Sequence, residues 1–122
     1  MLATSTVLFF TPNTIEYVKP PVALAEETCE RECIESKIDH YAEMYNVSPI
    51  TMNHIVKCES GYNPDALNNS PKEYSVGLVQ INLKAHTTIS DTQARDVDYA
   101  LNFLGRELSQ GNGKIWTCWY LR

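Results

Sequence analysis

Within "CESGYNPDALNNSPKEYSVGLVQIN", residues 58–82, a lone carboxylate stands where an apolar helix gives way to a polar loop. Met52, Ile55, Val56 and Glu59 fall at i, i+3, i+4 and i+7, so Glu59 ends the face that should be buried. Burial disfavours the charged form of a carboxyl group and raises its pKa. The negative pole at the C-terminal end of a helix opposes ionisation in the same direction. Both effects keep a proton on Glu59 near neutral pH, the state that a general acid requires. The competing structural reading turns Glu59 outward onto a cation such as Lys57.

The elements that would hold this carboxylate are marked by their ends. Ser48 is placed to cap the Glu59 helix, Pro49 suits its first position, and Gly61 is a natural stop. Upstream, Ile34, Ile38, Tyr41 and Tyr45 recur at spacings of four, three and four, the stripe of an amphipathic helix that Thr28 could cap. After a polar loop at 63–72, "YSVGLVQIN" reads as a short strand or hairpin, with Gly77 allowing a close backbone approach. Ser90 and Gln93 form a capping-box pattern, and Val97, Leu101, Leu104 and Leu108 mark a helix ending at Gly111. The aromatic tail "KIWTCWYLR" should close over the core. The fold class expected is α+β, mainly α, with a short β-hairpin beside the helix that carries Glu59.

The order E-S-G-Y-N-P, then G-L-V-Q-I-N, resembles the lysozyme superfamily, in particular the catalytic domain of soluble lytic transglycosylases and goose-type lysozymes. The resemblance spans roughly residues 30–122 and implies a lysozyme-like fold. It further implies that Glu59 is the catalytic acid for the β-1,4 bond between MurNAc and GlcNAc in peptidoglycan. By the same resemblance Ser75, Gln80 and Asn82 would bind substrate beside the acid, and Tyr62 and Tyr74 could offer aromatic faces to sugar rings. Animal-type lysozymes carry an Asp where this chain has Ser75, so this strand supplies no nucleophilic carboxylate. Glu73 and Asp65 are the nearby substitutes, and both are expected on solvated loop. Retaining glycosidases set two carboxyl groups about 5–5.5 Å apart and inverting ones about 6.5–9.5 Å apart.

A single acid suits the transglycosylase route, in which the sugar's own C6 hydroxyl displaces the leaving group and 1,6-anhydro ends form without metal or cofactor. A muramidase that hydrolyses the same bond is the first alternative. A catalytically weak wall-binding or assembly protein is the second. The Ala-Tyr-Asn-Ala-Gly segment of transglycosylases is missing, and "DVDYALNFLGRELSQGNGKIWTCW" takes its place, where Tyr99 or Trp116 could take over sugar contacts. His40, His54 and His86 have no ligand or triad spacing, and no Ser/His/Asp or Cys/His set suggests a peptidase.

The 122 residues make one domain's worth of chain, with 10 basic against 15 acidic residues and a formal charge of −5. That balance, with no basic cluster, argues against nucleic acid as a partner and gives no pull towards anionic lipid. Cys29, Cys33, Cys58 and Cys118 are even in number, which suits disulfides in an oxidising, extracytoplasmic setting. Cys58 adjoins Glu59, and Cys118 lies in the tail expected to fold over that helix, which favours Cys58–Cys118 and leaves Cys29–Cys33. The pairings that join the first helix to Cys58 and to Cys118 stay open at this point. Residues 1–27 read as an export or anchoring remnant and linker, or as an extended arm, ahead of a catalytic domain at 28–122. The apolar run "MLATSTVLFF" is shorter than the roughly 20 residues that span a bilayer. A monomer acting on glycan strands is expected.

Overall fold

A computed structural model describes residues 28–121. The expectations for residues 1–27 lie outside the described residues. The described residues form four α-helices and a small antiparallel sheet: α1 (Arg31–Tyr45), α2 (Pro49–Ser60), β1 (Leu67–Asn69), β2 (Tyr74–Val76), β3 (Ile81–Asn82), α3 (Asp91–Arg95) and α4 (Val97–Ser109). Two 3-10 turns, Gly113–Ile115 and Thr117–Leu121, follow α4. The α+β, mainly α class is the one expected.

Helix α1 buries Ile34, Ile38 and Ala42, while Tyr41 and Tyr45 are half-buried at its edge. Glu30, not Thr28, occupies its N-cap, and the Thr28 hydroxyl donates to the Glu30 carboxylate at 3.5 Å instead. Helix α2 has the ends its residues demand. The Ser48 hydroxyl accepts the Thr51 N–H at 3.2 Å, Pro49 sits in the first turn, and Gly61 takes the left-handed conformation at φ 61°. Met52, Ile55 and Val56 are fully buried, packed with Leu101 and Leu104 of α4 in one core. Both α2 and α4 pack on α1, and the terminal 3-10 turn packs on α2.

The expected hairpin is a three-stranded sheet in the order β1-β2-β3. Strand β1 falls within the stretch expected to be loop. Its three residues are all exposed, so no alternation marks them, and backbone pairing of Leu67 with Val76 and Asn69 with Tyr74 defines it. Gly77 follows β2 at φ +90°, and a Cβ there would lie 2.0 Å from the Ala94 carbonyl oxygen, so the turn touches α3 backbone to backbone. The expected helix from Ser90 onward is two helices. Ser90 and Gln93 form the capping box of α3, and the chain then extends at Asp96, whose carboxylate accepts the Tyr99 N–H at 2.8 Å and caps α4.

Two disulfides are present among the described residues. Cys29 lies ahead of α1 and joins Cys33 in its first turn across a Cα–Cα distance of 5.3 Å. Cys58 joins Cys118 across 6.0 Å and fastens the tail to the end of α2.

Candidate active site

Glu59 stands one residue before the end of α2, half-buried, and faces a cavity of about 140 Å3. Three separate segments wall this cavity: α2 through Glu59, the sheet and its flanking turns through Glu73, Ser75, Gln80 and Asn82, and the tail through Ile115–Thr117. The Cys118 N–H donates to Glu59 Oε2 at 3.3 Å, so the residue that closes the disulfide also orients the carboxylate. Burial pushes the Glu59 pKa up; the Cys118 hydrogen bond opposes this, and the negative charge of Glu73 adds to the rise. Glu59 therefore faces inward, away from the Lys57 alternative, in surroundings that favour the protonated acid.

Ser75 is buried on β2, and its hydroxyl donates to Glu73 Oε2 at 2.5 Å. Gln80 takes a left-handed backbone at φ 54°, and its amide nitrogen donates to the carbonyls of Ala66 at 3.2 Å and Gly77 at 3.0 Å. It thereby braces the tight turn against the start of β1. Asn82 Oδ1 accepts from the N–H groups of Tyr74 at 3.2 Å and Lys84 at 3.1 Å, so it caps the turn after β3 while lining the cavity.

The two tyrosines are not brought to this cavity. Side chains alternate across a strand, so Tyr74 leaves on the face opposite Ser75, and its hydroxyl donates to Asp91 at 3.3 Å. Tyr62 follows the helix stop at φ 66°, donates its hydroxyl to Asn53 at 3.0 Å, and carries the Arg31 guanidinium 4.4 Å from its ring centroid. It borders a different hollow, of about 450 Å3, with Asn63, Pro64 and the start of α1. Asp65 also lies there, exposed and 3.7 Å from Arg95.

Glu73, expected on solvated loop, is instead half-buried in the Glu59 cavity. The signal was its distance of two residues from Ser75, which places both on one strand face. Trp116 also belongs here: it is buried, and its indole N–H donates to the Val79 carbonyl at 2.7 Å. A second hollow of about 170 Å3, with Ala85, His86 and Phe103 in its wall, shares Gln80, Asn82, Ile115 and Trp116 with the first. Together they form a groove with a polar half at the acid and an apolar half beyond it.

Among the described residues no group of three or more His, Cys, Asp or Glu is arranged to hold a metal ion, and no helix is long and apolar enough to cross a membrane. Comparison with known families matches residues 36–119 to the transglycosylase SLT domain. No curated protein and no solved structure matches the chain. With that match covering most of the described residues, the chain belongs to the transglycosylase SLT family, the lytic transglycosylase-type, peptidoglycan-cleaving branch of the lysozyme-like superfamily.

Proposed function

We propose that this protein is a lytic transglycosylase that cleaves the MurNAc-β-1,4-GlcNAc bond with Glu59 as its one catalytic acid. The observation that carries the reading is a half-buried carboxylate, held by the Cys118 N–H and raised in pKa by burial, in a cavity lined by polar side chains. Protonated Glu59 donates its proton to the glycosidic oxygen as the bond to C1 of MurNAc breaks, and GlcNAc leaves with a free 4-hydroxyl. The C6 hydroxyl of the same MurNAc then attacks C1, and the Glu59 carboxylate takes back the proton that this oxygen releases. Water is neither consumed nor produced, and a 1,6-anhydro end results. Ser75, Gln80 and Asn82 are assigned to the glycan side of the groove. The substrate and the two disulfides favour action outside the cytoplasm.

One observation favours hydrolysis as a second reading. Glu73 shares the cavity with Glu59, so a second carboxylate is available to activate a water molecule. The products separate the two. Purified wall sacculi digested with the protein should release muropeptides with anhydro ends, one water lighter than hydrolysed ends. Reducing MurNAc ends alone would establish the muramidase instead, and tight glycan binding without release would leave a wall-binding protein.

A further inference from the structure

Glu73 is not required by the chemistry assigned to Glu59, yet it is held beside it with care. Ser70 and Glu73 exchange backbone hydrogen bonds of 2.9 and 3.3 Å across the turn between β1 and β2. Lys84 Nζ donates to the carbonyls of Ser70 at 3.3 Å and Pro71 at 3.0 Å, which pins that turn from outside and keeps the ammonium on backbone oxygens. Among the described residues, neither Glu59 nor Glu73 takes part in an ion pair. We propose that Glu73 is a positioning residue of this site, acting through Ser75 and Glu59 and not on the substrate, an inference that rests on Glu59 being the acid.

The route through Ser75 follows from hydrogen-bond inventory. A serine hydroxyl has one hydrogen to give. Ser75 gives it to Glu73 Oε2 at 2.5 Å, a charge-assisted bond, and is left able only to accept. Ser75 thus presents an acceptor to a donor on the glycan, a sugar hydroxyl or an acetamido N–H, and rejects a group that can only accept. Without Glu73 the hydroxyl would rotate, and this choice would be lost.

The route to Glu59 is electrostatic. Glu59 and Glu73 are the titratable side chains that line the cavity of about 140 Å3. From the tail the neutral Thr117 lines the cavity and the Cys118 N–H donates to Glu59, and along its own helix the neighbouring Lys57 is exposed. Among the described residues that line the cavity, Glu73 is therefore the one charged partner that Glu59 meets, and it is negative. Two like charges in one cavity oppose each other's ionisation, so an ionised Glu73 holds the proton on Glu59 until the glycosidic oxygen takes it.

The test compares wild type, Glu73→Gln, Glu73→Ala, Ser75→Ala and Glu59→Gln, each checked for folding by circular dichroism. Sacculus cleavage is followed against pH, and the Glu59 carboxyl carbon is titrated by NMR in wild type and Glu73→Gln. Glu73→Gln should keep cleavage and product type, while the alkaline limb of its profile and the NMR midpoint both move to lower pH. Ser75→Ala should slow turnover severalfold with the alkaline limb in place, and Glu73→Ala should show both defects. An NMR midpoint and alkaline limb unmoved by Glu73→Gln would overturn the proposal. So would a Glu73→Gln variant as inactive as Glu59→Gln, which would make Glu73 a catalytic base. Cleavage by Glu59→Gln would instead remove the underlying reading of Glu59, and the NMR titration would still report on Glu73.

Discussion

In the proposed function Glu59 combines the role of acid with a thermodynamic cost, and both have one origin in its burial. The ordinary value for such a group is 4.5, and the fold raises it. Between 4.5 and the raised value, the native protein holds a proton that the unfolded chain has released. Stability contributed by this site is therefore lost as pH rises through that window. Glu59→Gln removes the ionisation, so the variant should melt above wild type at neutral pH, with the gain shrinking as pH falls through that window and gone below 4.5. Thermal melts at several pH values measure this, and a gain independent of pH would place the cause elsewhere. The helix periodicity that put Glu59 last on a buried face was legible in the sequence. Tyr62 and Tyr74 were assigned by resemblance alone, and the strand alternation that turns Tyr74 away also brings Glu73 in.

Element boundaries were legible where a side chain or a special backbone conformation fixes them. Ser48, Pro49 and Gly61 bound α2 because each answers a local need of the helix, whereas β1 exists through pairing with a strand several residues away. Gly77 is a local signal with a tertiary reason, since the backbone turn there rests on the Ala94 carbonyl of α3. Gly77→Ala should cost about 2–4 kcal/mol from left-handed strain plus overpacking, read by chemical denaturation. A cost below about 1 kcal/mol would show that the turn can yield. The break between α3 and α4 was hidden because Asp96 lies within an otherwise continuous helical pattern, and its capping role depends on the chain extending there.

At the scale of the whole molecule, the groove is assembled from segments far apart in the chain, and the Cys58–Cys118 bond ties the last of them to the first. It closes a separation of 60 residues, worth about 4 kcal/mol by chain entropy, against about 2 kcal/mol for the separation of 4 at Cys29–Cys33. Replacing Cys58 and Cys118 together by Ala should lower the melting temperature more than replacing Cys29 and Cys33. It should also impair cleavage, because the Cys118 N–H on Glu59 and Trp116 in the groove ride on the same tail. Equal losses of stability with cleavage intact would separate the tail from the site. All of this turns on Glu59, and the most direct measurement is muropeptide release from purified sacculi by folded Glu59→Gln. The amide keeps the shape but cannot donate and recover a proton, so release should fall at least about 100-fold below wild type. Release at a rate near wild type by a folded variant would contradict the assignment.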